Sequence, residues 1–223
     1  MNILVLSAHP DDETLGLGGS LLAHRAAGDR ISWIVATQAH EPGWSAETIA
    51  RKARELERVA EAYGVERLER LGLPTAQLDA VPLADLILPI RRAIEAIRPE
   101  VVYVTHPGDI HTDHACLFDA TAASLRAFRA VTDGVRRVLC YETLSSTDSA
   151  PPQRLPRFTP NVFRDVSPHL ERKLEIMALY ETEAQPDPLP RGPSALRALA
   201  RLRGATIGVE YAEAFELVRE VLS

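Results

Sequence analysis

Short apolar runs alternate along this chain with longer segments in which apolar residues recur every three or four positions. The runs predict four strands, at Ile3–Ser7, Ile31–Thr37, Val101–Thr105 and Val138–Glu142. The segments between them have the period of helices. Because strands that alternate with helices are typical of α/β proteins, we expect a single domain with a Rossmann-like, mostly parallel sheet and helices on both faces.

Capping residues mark the ends of several predicted helices. Residues 14–27 and 45–63 each stop at a glycine, which favours a helix end. Residues 82–98 have helical spacing, but Pro89 is expected to kink or split this helix. Further helices are predicted at 114–129, 167–183 and 194–203. We expect residues 1–145 to form the Rossmann-like core, and residues 146–223 to supply loops and helices that complete a pocket.

Composition restricts the partners of the protein. The formal net charge of the 223 residues is −6, and acids balance each basic cluster, which argues against nucleic acid as a partner. The two cysteines, Cys116 and Cys140, form no Cys-x-x-Cys motif and indicate reduced thiols. Because no segment has the apolar length of a membrane span or a secretory signal, we expect a cytoplasmic protein without a membrane span.

Two clusters of histidines and acids directly follow predicted strands. HPDDE at 9–13 comes after the first strand, and HPGDIHTDH at 106–114 comes after the third. In open α/β sheets, ligands bind beyond the carboxyl ends of the strands, where the strand order reverses. We therefore expect the two clusters to converge on one cleft, although about a hundred residues separate them in the sequence.

Imidazole and carboxylate groups are natural zinc ligands, and a catalytic zinc usually has three protein ligands and one position for water. Two ligands three residues apart on a strand-to-helix turn, with one more from elsewhere, would supply that number. The remaining acids and imidazoles would provide a base, a group that stabilises or protonates the intermediate, and an acid that orients it. An isolated Asp-Asp-Glu is often only a helix start, but two such clusters at strand ends favour metal-assisted hydrolysis.

The motifs resemble those of a known family, the LmbE/PIG-L-like N-acetylglucosaminyl deacetylases, which are zinc-dependent. AHPDDE at 8–13 and D-x-H-x-D-H at 109–114 match its two signatures, and the resemblance continues through 54–65, 161–183 and 203–217. It implies hydrolysis of the N-acetyl amide of an N-acetylglucosamine-type substrate, a small amino-sugar conjugate. It also makes a homo-oligomer plausible.

The resemblance also implies roles for single residues. The implied Zn²⁺ ligands are His9, Asp12 and His114. Asp11 would be the general base, and His111 would stabilise the oxyanion or donate the proton, with Asp113 as its orienting partner. Whether Asp11 or His111 protonates the leaving amine stays open.

Substrate contacts are less defined by the sequence. A family arginine that contacts substrate lies just before the glutamate that matches Glu55. The segment 51–54 reads RKAR, so Arg51 and Arg54 are both candidates. His40 and Trp44 follow the second predicted strand and are expected to line the cleft, where the indole could stack on a sugar.

Two alternative functions remain open from the sequence. One is a metal-dependent amidohydrolase that acts on a different acyl group or on a non-sugar substrate. The other is a noncatalytic binding module on the same fold, against which the intact Asp11 and His111 argue. Iron or manganese would also suit a site of two imidazoles and one carboxylate.

Overall fold

The computed structural model describes residues 1–126, 134–154 and 156–222. The strands of these residues are β1 (Asn2–Ser7), β2 (Arg30–Gln38), β3 (Arg67–Pro74), β4 (Val101–Thr105), β5 (Arg137–Tyr141), β6 (Val162–Asp165) and β7 (Ala212–Glu220). The helices are α1 (Asp12–Ala26), α2 (Ala46–Tyr63), α3 (Leu83–Ile97), α4 (Thr112–Ser124), α5 (Leu170–Met177) and α6 (Pro193–Ile207), with a short 3₁₀ helix at Leu78–Ala80.

All seven strands form one sheet in the order β3-β2-β1-β4-β5-β7-β6. The first five strands in that order are mutually parallel. β7 runs antiparallel to both of its neighbours, β5 and β6. The strand order therefore reverses between β1 and β4, and the predicted α/β fold with a mostly parallel sheet is confirmed.

Apolar layers cover both faces of the sheet, as expected. Ile3 and Val5 of β1 contact the layer formed with α1, α2, α5 and α6. Leu4 and Leu6 contact the opposite layer, formed with α3 and α4. Because successive side chains of a strand point to opposite faces, the continuous apolar run of β1 is what a strand buried on both faces requires.

Three strands were not predicted from the sequence. β3 is an edge strand whose residues are all at least partly exposed, and its sequence RLERLGLP contains no sustained apolar run. β6 and β7 complete the other side of the sheet. β3 and β6 are the two edge strands, and edge strands bury little surface, so their sequences show weaker apolar patterns than those of the centre. β7 lies between β5 and β6, and only its first four residues are buried.

Some helix boundaries also differ from the predicted ones. α3 continues through Pro89 as one helix, so the expectation that this proline would split the helix is wrong. One lost backbone hydrogen bond is outweighed there by burial of Leu86, Ile90 and Ile94 against the sheet. The segment predicted as helix up to 183 is helical only to Met177, and residues 127–129 of the predicted helix 114–129 lie outside the described residues.

Both cysteines are free thiols, as expected. Among the residues that the structure describes, no helix combines the length and apolar character needed to cross a bilayer.

Candidate metal and catalytic site

The two histidine-containing clusters meet beyond the carboxyl ends of β1 and β4, which are adjacent parallel strands. β1 ends at Ser7 and α1 begins at Asp12, so the first cluster forms the turn between them. β4 ends at Thr105 and α4 begins at Thr112, so the second cluster forms the equivalent turn. The sheet therefore brings together residues that are far apart in the sequence.

Donor atoms of His9, Asp12 and His114 lie close together. Nε2 of His114 lies 3.3 Å from Nδ1 of His9 and 3.3 Å from Oδ1 of Asp12. Nδ1 of His9 lies 3.6 Å from Oδ2 of Asp12. Ligands about 2.0–2.1 Å from a tetrahedral zinc are separated from one another by about 3.3–3.4 Å, and these three spacings, which involve both oxygens of Asp12, are close to that value.

His111 belongs to the same cluster. A nitrogen of each of His9, His111 and His114 lies within 4.8 Å of the other two. The His111 ring is stacked on that of His114, with centroids 5.2 Å apart. The shorter distances that include Asp12 favour the set of two imidazoles and one carboxylate, with His111 beside it.

Carboxylates contact the outer nitrogens of both candidate histidine ligands. Oδ2 of Asp113 lies 3.0 Å from Nε2 of His9, and Oδ2 of Asp109 lies 3.0 Å from Nδ1 of His114. Metal-bound histidines generally donate their other ring N–H to a carboxylate or carbonyl, which fixes the tautomer and the ring orientation. The cluster thus has the outer contacts of a metal site as well as the inner donor atoms.

Asp113 differs from the expected partner of His111. Its carboxylate contacts His9 and accepts the backbone N–H groups of Ala76 (2.7 Å) and Leu78 (3.0 Å). Its contact with His111 is made by the backbone N–H, which donates to Nδ1 at 3.3 Å. The carboxylate was expected to orient His111, whereas the contacts in the structure direct it to His9. The reason is that Asp113, in the first turn of α4, faces the segments after β1 and β3, which carry these three partners.

Electrostatic interactions in the cluster strongly favour positive charge. Burial opposes protonation of His9, but hydrogen bonds to Asp113 and Asp12 raise its pKa to about 9. Burial also opposes protonation of His114, yet the neighbouring Asp12 and Asp109 raise its pKa to about 10. The carboxylates of Asp12, Asp109 and Asp113 thus supply negative charge around the two imidazoles. The pKa of His111 is lowered to about 4, first by burial and then by the charges of its two histidine neighbours.

Asp11 lies between the candidate ligands His9 and Asp12 in the sequence and has a strained backbone conformation. Its φ of 105° lies in the left-handed region, which non-glycine residues rarely adopt. The side chain is buried, and burial raises the pKa of its carboxyl well above the usual value, although Arg191 opposes this. Such strained residues occur often at functional sites, where the surrounding structure holds them.

Glu13 supports this turn from behind. One of its oxygens accepts the backbone N–H of Asp11 at 3.2 Å, and the other accepts the hydroxyls of Thr14 (2.6 Å) and Tyr180 (2.9 Å). Burial raises the pKa of its carboxyl to about 7. Glu13 therefore braces the HPDDE turn, and the third acid of the motif has a structural role.

A cavity of about 560 Å³ opens beside the cluster. Its wall includes the four residues His9, Asp11, Asp12 and His111, and Trp44 lies in it as expected. A volume of this size suits a small-molecule substrate.

The other predicted substrate contacts lie elsewhere. Among the described residues, the cavity wall includes none of His40, Arg51 and Arg54. His40 is exposed and its Nε2 bonds to the carbonyl of Gly72. Arg51 pairs with Glu55 in its own helix and also with an acid that follows α5. Arg51 and Arg54 are displaced from the cavity because α2 turns the face with Thr48, Lys52 and Leu56 toward it.

Three cationic residues of the wall, Lys52, Arg70 and Arg191, were not predicted. Lys52 lies between the two proposed arginines, on the face of α2 that also carries Thr48 and Leu56. The spacing of four residues from these positions is the signal that would have identified it. Arg191 follows the proline-rich segment 185–190, where no periodic pattern indicates the direction of a side chain.

The fold and the cluster together define an α/β protein with a candidate metal centre at the switch point of its sheet. The family model described as PIG-L: GlcNAc-PI de-N-acetylase matches residues 4–125, and the chain belongs to this family. The protein is accordingly an enzyme of the deacetylase class, a hydrolase of amide bonds.

Proteins of similar sequence or structure are consistent with this family assignment. The chain is 21% identical over 191 residues to a probable N-acetyl-α-D-glucosaminyl L-malate deacetylase 2 of Bacillus anthracis, covering 82% of this chain and 81% of the relative. It is 24% identical over 225 residues to a diacetylchitobiose deacetylase of Thermococcus kodakarensis, covering 97% and 82%. The crystal structure of a conserved protein from Thermus thermophilus is similar with a TM-score of 0.79 and 26% identity, covering 100% and 97%.

Proposed function

We propose that this protein is a zinc-dependent deacetylase that hydrolyses the N-acetyl amide of an N-acetylglucosamine-type substrate to acetate and a free amine. The observation that carries the proposal is the convergence of His9, Asp12 and His114 within 3.3–3.6 Å of one another at a cavity that Asp11 also lines. The relatives named for the deacetylation of N-acetylglucosamine conjugates support the substrate class.

Each residue of the cluster has a role in this reaction. A zinc ion held by the two imidazoles and Asp12 would lower the pKa of a water to about 7 and polarise the acyl oxygen. Asp11 accepts the proton of the attacking water. His111 faces the developing oxyanion, where a preorganised donor contributes about 3–4 kcal/mol. The amine leaves after it receives a proton from Asp11 or from His111.

The remaining wall of the cavity binds the rest of the substrate. Trp44 offers an aromatic face to a sugar ring. Lys52 takes the place that the sequence left open between Arg51 and Arg54, because it is the basic residue of this segment in the cavity wall. Its ammonium can bind a hydroxyl or an anionic group beyond the sugar.

The test combines metal analysis with product analysis. Zinc content is measured by mass spectrometry, and acetate release is measured from N,N'-diacetylchitobiose, N-acetylglucosaminyl malate and UDP-N-acetylglucosamine. Acetyl-lysine peptide serves as a non-sugar control, and His114→Ala serves as the metal-deficient control. We expect acetate from at least one sugar, and none from His114→Ala. A zinc-loaded enzyme that cleaves the peptide and no sugar would instead support an amidohydrolase of non-sugar substrates.

A further inference from the structure

Arg191 connects the catalytic cluster to the C-terminal part of the chain. Its Nη1 lies 2.9 Å from Oδ2 of Asp11 and 2.5 Å from Oε2 of Glu183. Its Nε lies 3.3 Å from the hydroxyl of Ser145, and its backbone N–H is accepted by Gln185. The guanidinium is therefore held from several sides in the cavity wall.

The ion pairs continue from Arg191 to a residue of α2 in the cavity wall. Glu183 also pairs with Lys52 of α2, and both acid and lysine line the cavity. One ion-pair network runs along the cavity through Asp11, Arg191, Glu183 and Lys52. This network joins the proposed base to the proposed substrate contact on α2.

Asp11 has fewer polar partners than its neighbours Asp12 and Glu13, so it depends more on this ion-pair network. Asp12 accepts the backbone N–H of His9 at 2.8 Å, and Glu13 accepts three donors. Oδ2 of Asp11 is enclosed and, within the described residues, has no hydrogen bond of good geometry, so its ion pair with Arg191 is its polar contact there. Without Arg191 this buried oxygen would have no polar partner among the described residues, which is costly.

We infer that Arg191 is a positioning residue for Asp11. By holding Oδ2, the guanidinium directs Oδ1 toward the cavity, where the attacking water must lie, and keeps the carboxylate from turning to a cation bound by its neighbour Asp12. The catalytic meaning of this contact rests on the proposed function, but the contact itself can be tested without substrate.

The first test is a double-mutant cycle in urea unfolding of the metal-free protein at pH 8, with Arg191→Met, Asp11→Asn and both together. Arg191→Met should raise the unfolding equilibrium constant about tenfold when Asp11 is present. The increase should be clearly smaller in the Asp11→Asn protein, because its amide carries no charge. An equal effect in both backgrounds would show that Arg191 does not act on Asp11, and would overturn the inference.

The second test uses the zinc-loaded enzyme and the substrate found active. Arg191→Met should lower kcat about 10- to 100-fold with less than a threefold change in KM, at unchanged zinc content, because a misplaced base affects the chemical step. Arg191→Lys should retain part of this activity, and millimolar guanidinium should restore part of it to Arg191→Ala. The control is Arg197→Met, which removes an arginine paired with Glu171 on the protein surface and should leave kcat unchanged.

The outcomes separate the two proposals. A wild-type kcat in Arg191→Met, a change in KM alone, or the absence of rescue by guanidinium would each contradict the positioning role. If the wild-type protein releases acetate from no compound, the proposed function fails, while the unfolding cycle still decides whether Arg191 holds Asp11.

Discussion

At Asp11, one backbone conformation separates the directions of two consecutive carboxylates. Asp12 begins α1 and its oxygens contact both candidate histidine ligands. Asp11 has a φ of 105° and turns its carboxylate to Arg191 instead. Neighbouring residues of the same type can therefore serve as a metal ligand and as a base, because each faces a different partner.

The first prediction concerns this division of roles. Asp11→Asn should keep one zinc per chain, because none of the three proposed donor atoms is changed. Its kcat should fall at least about 100-fold, since an amide cannot accept the proton of water. Zinc content and acetate release measured on the same preparation test this, and a near wild-type rate would refute the role of Asp11.

Gly16 is the second residue with a sharp requirement. A Cβ there would lie 2.3 Å from Cδ2 of Tyr141 and 2.5 Å from the backbone oxygen of Glu142. Gly16→Ala should therefore lower the free energy of unfolding by about 1–3 kcal/mol, measured in urea. The matched control is Gly43→Ala, whose Cβ would meet only the carbonyl of His40 at 3.5 Å. Equal effects of the two changes would mean that the close approach to β5 is not what requires glycine.

At the scale of elements, α1 depends on parts of the chain that are distant in sequence. Its helix is interrupted at Leu17, where φ is −142°. Glu213 of β7 accepts the two backbone N–H groups at 19 and 20, at 2.8 and 2.7 Å. Lys173 of α5 donates to the carbonyl of Leu15 at 3.0 Å and to Glu213 at 2.8 Å. A buried ion pair thus satisfies backbone groups on both sides of the interruption.

The third prediction tests this ion pair. Lys173→Met leaves the buried Glu213 without its cation, and should lower the free energy of unfolding by about 3–5 kcal/mol. The double variant Lys173→Met/Glu213→Gln should lose less than the sum of the two single changes. Arg197→Met, which breaks an exposed pair, should stay close to wild type in the same urea titration. An additive double variant would show that the two side chains act independently.

At the scale of the whole molecule, the candidate metal centre links two halves of the sheet. His9 and Asp12 follow β1, whereas His114 lies in α4 after β4. An ion bound to all three residues binds the folded chain only, because the unfolded chain does not bring these groups together. Metal binding should therefore stabilise the fold.

The fourth prediction follows from this linkage. Free zinc at about 100 times its dissociation constant adds about 2.7 kcal/mol of stability. In a chain of this length that corresponds to about 5–10 °C in Tm, which removal of zinc with a chelator should reverse. Scanning calorimetry of wild type and of His114→Ala makes the comparison. If His114→Ala showed the same zinc-dependent rise in Tm, the ion would be bound elsewhere.

The central part of this molecule was predictable because its signals are local. β1 and β4 are buried on both faces, and such strands need continuous apolar runs that can be recognised in the sequence. The turn that carries HPDDE follows one such strand directly. The convergence of both clusters then required only the general rule that ligands bind where the strand order of an α/β sheet reverses.

The sequence by itself determined the class of fold and the two clusters that contain the candidate ligands, because each depends on residues close together in the chain or on the common direction of parallel strands. Tertiary structure alone decided that Lys52 and not Arg51 reaches the cavity, that the carboxylate of Asp113 contacts His9, and that Arg191 reaches Asp11. These outcomes depend on how helices rotate and loops cross when the whole chain packs. Contacts between distant segments determine these orientations, so no local sequence pattern predicts them.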